Sequence, residues 1–393
     1  MDLTTYLNPL RTTSPVMAAL VDAATRGDRH VVDLPQTVGN SARLLVDTAQ
    51  FVPAVLRDIA AARHQVNITM FSWQDDGTGK RLAEALKYKA RQGIEVNVQI
   101  DAIGSQQWPL SRRRAFINDM KAAGVSVKRH WPTSASGTID HRKIFEIDGR
   151  IAYLGGMNLA AKYDNWHDVM VRLEGPAAAQ AGAELAGRWI DTGGKISPRR
   201  VAVLTAHGPR KPTLNARAAV KLLGNSPQIE LAATREFFHL AATAKKRLWV
   251  MSPYIGNKEM VNALTRAAKR GVDVRVTVPG PNEWKNGQFT AKLTRGFYSD
   301  LLRAGVKLYE QPQMTHAKLW LSDNTANISS VNLDRRSAMD AYEIGATIAD
   351  TSFRRQVEQL FLRDFKRSRQ IGAKDSDQYR AVELLRKKLN LRV

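Results

Sequence analysis

The sequence twice spells His-x-Lys-x4-Asp: as His141, Lys143 and Asp148 in DHRKIFEIDGRIAYLGGMN, and as His316, Lys318 and Asp323 in THAKLWLSDNTANISSVN. A neutral imidazole attacks phosphorus as a nucleophile. A second, protonated imidazole hands a proton to a leaving oxygen. A lysine ammonium adds fixed positive charge where phosphoryl oxygens gain negative charge. One motif supplies half of this set. Two that face each other supply nucleophile, acid and clamp for phosphodiester chemistry, and need no metal and no cofactor. In a strand, residues i and i+2 share a face. His141 and Lys143 are therefore expected to project together from HRKIFEI, and His316 and Lys318 from HAKLWL. A single short match is weak evidence; two at matching places in a repeat are specific.

A carboxylate follows each motif at the same interval: Asp168 comes 27 residues after His141, and Glu343 comes 27 after His316. A carboxylate that accepts from the far ring nitrogen of a histidine fixes its tautomer and orientation. Small polar residues also follow each motif, as Gly155, Gly156 and Asn158, then as Ser329, Ser330 and Asn332. Glycine lets a backbone approach a phosphate closely, and Asn and Ser donate to its oxygens. Asn158, Ser330 and Asn332 are thus expected as phosphate-binding residues. His167 adjoins Asp168, but on a strand it faces the other way. His30, His64, His130, His207 and His239 sit in no motif, and such scattered histidines usually have structural or surface roles.

The elements that must position these residues repeat as well. Gln65–Trp73 alternates as a strand, Thr78–Gln92 has helical spacing stopped by Gly93, and Ile94, Val96, Val98 and Ile100 form a second strand. A helix then runs to about Ala123, with a strand at Val125–Val127. The second half follows the same order: strand Arg247–Ser252, helix Lys258–Arg270, the alternating Val272, Val274, Val276 and Val278, a helix to Ala304, and a strand at Val306–Tyr309. RQGIEVNVQI stands beside KRGVDVRVTV, and KAAGVSV beside LRAGVKL. Strand–helix alternation predicts an α/β fold of two duplicated domains, each a mixed sheet flanked by helices, with the site at their interface. The expected boundaries are an N-terminal extension 1–40, a first domain 41–195, a linker region 196–230 rich in Gly and Pro, a second domain 231–368 and a basic tail 369–393.

Composition narrows the setting. The chain has 393 residues, a formal net charge of +22 and no cysteine. Disulfide, thiolate and zinc–thiolate chemistry are excluded. A surface this basic attracts polyanions, either an anionic membrane face or nucleic acid. The apolar run Val16–Val21 is too short for a membrane span, so any membrane contact is expected to be peripheral. Val382, Leu385 and Leu389 are spaced as one face of a tail helix among basic residues, which fits an interfacial helix or one packed on the body.

These motifs resemble the phospholipase D superfamily, whose signature is a paired His-Lys-Asp motif followed by Gly-Ser or Gly-Gly and then Asn. The resemblance runs from about Leu44 to Phe365. It implies a phosphohistidine intermediate, mainly structural motif aspartates (Asp148 and Asp323), and histidines positioned by Asp168 and Glu343. By the same analogy, His141 is the expected nucleophile and His316 the acid. The interval from Asp323 to Asn332 is one residue shorter than that from Asp148 to Asn158, and Ser329 stands where Gly is usual. Within the superfamily the wording is similar to that of bacterial cardiolipin synthases, in DDGTGKRLAEAL, WHDVMVRLEGPAA and NLDRRS, and to forms without N-terminal membrane helices. That implies a phosphatidyltransferase of phospholipid biosynthesis, acting on phosphatidylglycerol or a related lipid. It would work in the cytoplasm, at the inner face of the cell membrane. A phospholipase D-type hydrolase and a nuclease are the alternatives.

Overall fold

The computed structural model describes residues 33–106, 108–132, 137–206, 217–227, 230–280 and 294–372, with 379, 383 and 384. The Val16–Val21 run, His30, His207 and the tail positions Val382, Leu385 and Leu389 lie outside the described residues.

The first half runs β1 (Thr37–Val46), α1 (Asp47–Ala60), β2 (Gln65–Met70), α2 (Gly77–Arg91), β3 (Glu95–Asp101), α3 (Leu110–Ala122), β4 (Ser126–His130), β5 (Ile139–Asp140), β6 (Lys143–Ile147), β7 (Ile151–Gly155), β8 (Val169–Glu174), α4 (Pro176–Asp191) and α5 (Pro198–Ala206). The second runs β9 (Ala218–Ser226), β10 (Glu230–Leu231), α6 (Ala232–Thr243), β11 (Arg247–Met251), α7 (Lys258–Lys269), β12 (Asp273–Pro279), α8 (Tyr298–Arg303), β13 (Lys307–Gln311), β14 (Leu319–Ser322), β15 (Thr325–Ser329), β16 (Ala341–Ala349), α9 (Thr351–Arg367) and β17 (Arg369–Ile371).

Local chemistry sets these limits. Asn257 caps α7 by accepting from the Met260 N–H at 3.0 Å, and Asp350 caps α9 by accepting from Phe353 at 2.7 Å. Met260, Val261, Leu264 and Ala267 bury one face of α7, the i, i+1, i+4, i+7 spacing of an amphipathic helix. Strand β2 ends at Met70, three residues before the expected Trp73, whose buried indole instead donates to the Gly79 carbonyl at 3.0 Å.

The first sheet has the order β4–β3–β2–β6–β7–β8–β1, parallel from β4 to β2 and antiparallel thereafter. The second has the order β13–β12–β11–β14–β15–β16–β9 with the same directions. The two orders match strand for strand, which makes the fold a duplicated α/β unit. Strands β1 and β9 meet at Thr37↔Val220 and Asn40↔Ala218, so the sheets join edge to edge. One apolar cluster is shared by both halves: it draws Ile144, Leu154 and Val171 from the first sheet, Ala326, Ile328 and Ala346 from the second, and faces of α4 and α9.

The region 196–230 is not only a linker. It contains α5 and β9, and Val220 and Leu222 of β9 are buried against β16. Its flanking Gly and Pro mask a strand whose partner lies more than a hundred residues away. Strand β1 likewise starts inside the expected extension, and β17 lies inside the expected tail.

Candidate active site

His141 and His316 lie on extended segments just before β6 and β14, not within the strands themselves. The alternation still holds: Lys143 Nζ donates to the His141 carbonyl, while Arg142 between them turns the other way, to Asp140 and Glu184.

Each motif segment is anchored by the opposite half. β5 pairs in parallel with the start of β16, and the His141 N–H donates to the Tyr342 carbonyl at 3.0 Å. In the matching place, His316 N–H donates to the His167 carbonyl at 2.7 Å, and His167 N–H donates to Met314 at 2.8 Å. This crossing decides which carboxylate serves which histidine. His141 Nδ1 lies 2.9 Å from Glu343 Oε1, and His316 Nδ1 lies 2.7 Å from Asp168 Oδ2. The carboxylate of each half therefore orients the histidine of the other. Neither half holds a complete pair.

The cluster is buried: Lys143 and Lys318 are 0% exposed, His141 7% and His316 5%. Burial, reinforced by Lys143, Lys318 and Arg336, holds His141 well below the usual histidine range. Burial and Lys318 lower His316 to about 3 against the pull of Asp168. Lys318 thus acts on both histidines, as does Lys143, so the two motifs share one electrostatic site. Burial and mutual repulsion lower Lys143 to about 7, and burial lowers Lys318 to about 8. Both shifts favour the neutral imidazole, and Lys318 Nζ donates to His316 Nε2 at 2.9 Å.

The two orienting carboxylates differ. Burial opposes the charge of Asp168, but His316 and Lys318 outweigh it and hold the group below the usual carboxylate range. Burial raises Glu343 to about 7, against Lys143, Ser330 and Ser337. Gly156 makes room for Asp168: a Cβ there would sit 2.2 Å from Asp168 Oδ1. Its counterpart Ser330 donates its hydroxyl to Glu343, accepts from Ile344 N–H at 3.0 Å, and is joined by Ser337 Oγ on the same carboxylate. The Ser330 hydroxyl, expected on phosphate, is here engaged with Glu343 and the Ile344 N–H. Asn158 and Asn332 sit as a matched pair, 5% and 6% exposed, each with Oδ1 unpartnered among the described residues.

Asp148 and Asp323 stand outside the cluster, at the far ends of β6 and β14. Asp148 accepts from the N–H groups of Arg63, His64 and Gln65 at 2.8, 2.8 and 2.9 Å. Asp323 accepts from Lys245, Lys246 and Arg247 at 2.9, 2.9 and 3.0 Å. Both turn the chain at positive φ, 53° and 47°, a conformation Asp tolerates better than most residues. The residue missing from the second motif is missing in this turn. Ile147 pairs with Ile151 across Asp148–Arg150, whereas Ser322 pairs with Thr325 across Asp323 and Asn324. The shortening does not reach the site.

Several site residues carried no local signal. Phe71 meets the His141 ring edge-on at 4.7 Å, and Trp166 lies 5.2 Å from the His316 ring. His167 faces away from His316, as alternation expects. It donates from Nδ1 to Asp47 at 2.9 Å and from Nε2 to Asp364 at 3.0 Å. Its counterpart Tyr342 instead presents its ring to Arg188 at 3.9 Å.

Residues 55–189 and 237–365 each match the family described as cardiolipin synthase, PLD-like domain. Cardiolipin synthase A of Yersinia pseudotuberculosis serotype O:1b (strain IP 31758) is 31% identical over 347 residues, which span 82% of this chain and 68% of that protein. Phosphatidylserine synthase of Haemophilus influenzae Rd KW20 superposes with a TM-score of 0.67, over 94% of this chain and 97% of that one, at 16% identity. Polyphosphate kinase from Porphyromonas gingivalis superposes with a TM-score of 0.56, over 85% and 49%, at 14% identity. These last two likenesses are of fold alone.

Proposed function

This chain belongs to the phospholipase D superfamily, as an enzyme with two domains of the cardiolipin synthase PLD-like kind, and on that premise we propose that it is a phosphatidyltransferase joining two phosphatidylglycerols into cardiolipin. One observation carries the reading: both histidine–carboxylate pairs cross between the halves, so a single composite site holds two imidazoles and two buried ammonium groups. Such a set suits a phosphodiester with one anionic phosphorus centre.

In this mechanism the first phosphatidylglycerol places its phosphate between Lys143 and Lys318, with Asn158 and Asn332 as further contacts. His141 Nε2 attacks phosphorus; the P–N bond forms, the bond to the headgroup glycerol oxygen breaks, and His316 gives that oxygen a proton. The free hydroxyl of a second phosphatidylglycerol then attacks phosphorus, returns a proton to His316 and displaces His141. The products are cardiolipin and glycerol. The unlike carboxylates support these roles. Asp168, a firm anion, favours the imidazolium an acid requires. Glu343, raised towards neutrality by burial, is suited to take the His141 Nδ1 proton as that ring bonds phosphorus. Bound phosphate adds negative charge, which raises His316 into its acid form.

No helix among the described residues is long and apolar enough to cross a membrane, and we place the enzyme peripherally, at the inner face of the cell membrane. The test is incubation with phosphatidylglycerol vesicles and, separately, with plasmid DNA. Cardiolipin and glycerol in equal amounts are expected. Phosphatidic acid and glycerol without cardiolipin make the protein a hydrolase, and DNA nicking with no lipid change makes it a nuclease. Full turnover by His141→Ala sinks the shared-site mechanism.

A further inference from the structure

Among the described residues, the arginines that open α3 have no carboxylate partner. Helix α3 opens with Leu110, Ser111 and then Arg112, Arg113 and Arg114, with no acidic residue in its first turn. A helix N-terminus is already positive, so three cations there oppose both the dipole and one another. None of them ion-pairs with a carboxylate among the described residues. In the second half the residue that matches Arg114 is Arg295, and it ion-pairs with the buried Glu310 at 3.4 Å. The cation at that place is compensated there, whereas Arg114 has no such partner among the described residues.

Apolar surface accompanies the charge. Beside α3, at the end of β4, the Arg129 guanidinium lies over the Trp131 ring at 4.3 Å, and Trp131 is 55% exposed. Arg113 and Arg114 are close enough to Arg129 to depress its pKa further, after burial. The second half adds a single π-helical turn, Arg336–Asp340, in which Met339 is 44% exposed. That turn feeds β16, whose Ala341 and Tyr342 pair in parallel with Ile139 and Asp140, directly before His141. In a parallel pair both chains arrive from the same end. Arg336 confirms this by donating to the Gly137 carbonyl at 3.3 Å, and its charge reaches His141. An exposed indole, an exposed thioether and arginines of both halves that make no ion pair among the described residues therefore border one approach to the site. Aromatic side chains beside cations suit the boundary between headgroups and acyl chains.

We infer that this rim, Trp131 and Met339 with Arg112, Arg114 and Arg336, is the surface by which the protein docks on an anionic phospholipid bilayer and presents the His141 side of its site to lipid. The inference rests on the phosphatidyl-transfer reading.

The test uses the full chain and co-sedimentation with two sets of vesicles: phosphatidylglycerol mixed with phosphatidylcholine, and phosphatidylcholine alone. Each basic residue near an anionic surface is worth about fivefold in partitioning. Arg112→Ala/Arg114→Ala is expected to bind the mixed vesicles about 25-fold more weakly at low salt, a loss that fades as salt rises. Trp131→Ala is expected to lose about tenfold at any salt. Turnover of short-chain phosphatidylglycerol, dispersed as monomers, should stay at the wild-type level in both variants. Wild-type vesicle binding by both variants overturns the docking surface. So does a parallel loss of binding, short-chain turnover and thermal stability, which marks a folding role. Loss of plasmid binding with vesicle binding intact assigns the rim to nucleic acid and also overturns it. Rim-dependent binding by a wild-type protein that converts neither long- nor short-chain lipid leaves docking standing and sinks the phosphatidyl-transfer reading instead.

Discussion

Neutralising His167 should loosen the site from behind. Both ring nitrogens donate to carboxylates, Nδ1 to Asp47 at 2.9 Å and Nε2 to Asp364 at 3.0 Å, and only an imidazolium has two N–H groups. Burial opposes that charge, but Asp364 and then Asp47 outweigh it and raise the pKa from 6.5 to about 9. The clasp joins the first half, through Asp47 at the start of α1, to the second, through Asp364 on α9. It also reaches the site. Asp47 Oδ1 accepts the Asp168 N–H at 3.1 Å, and Asp47 N–H donates to the Asp168 carbonyl at 2.9 Å. A rise from 6.5 to about 9 corresponds to about 3 kcal/mol. Because the folded-state pKa is raised, this stability is fully present below pH 6.5 and is lost as pH rises through 9. Lys143 and Lys318, lowered by burial to about 7 and 8, act in the opposite sense: their folded forms shed protons first, so stability rises with pH. The difference between wild type and His167→Gln cancels the lysines. Urea unfolding from pH 6 to pH 10 should show the variant less stable by about 3 kcal/mol at pH 6, with the gap shrinking steadily above pH 7. Below pH 7, kcat should fall more than KM changes, because Asp168 shifts against His316. A pH-independent gap in stability would falsify the charged clasp.

Asp168→Asn should lower lipid turnover by about 10³- to 10⁴-fold with an unchanged melting temperature, since the amide favours the wrong tautomer of its partner. Adding His316→Ala should cost little more, whereas adding His141→Ala should cost much more; the reverse pattern refutes cross-half pairing. Gly156→Ala, whose Cβ would lie 2.2 Å from Asp168 Oδ1, should cut turnover at least about 100-fold by displacing that carboxylate, and wild-type kcat in this variant would refute the role of Gly156. Asp148→Ala removes the acceptor of three backbone N–H groups and should destabilise the fold by about 2–3 kcal/mol, read by urea unfolding. Its kcat at low temperature should stay near wild type; a selective kcat loss without loss of stability refutes the structural role.

The sequence by itself determined a great deal here. Strand alternation such as Val274, Val276 and Val278, glycine stops such as Gly93 and Gly271, and the doubled motif were all local, because period and turn chemistry act over a few residues. Together they pointed to a duplicated α/β unit and to the paired histidines and lysines, while the supporting role of Asp148 and Asp323 came only as what the family resemblance implies. The shared 27-residue interval marked Asp168 and Glu343 as candidates, but an interval is the same whichever histidine a carboxylate serves.

Only the tertiary structure decided that choice. The parallel pairing of β5 with β16, and the bridge of His167 to Thr315, cross the halves and hand each carboxylate to the opposite histidine. The same holds for Ser330, expected on phosphate and found on Glu343, and for β9, read as linker until its partner β16 was placed beside it. His167 is the clearest instance. Its partners lie 120 and 197 residues away, so no local pattern records them, and its charge exists only because folding brings two carboxylates to one ring.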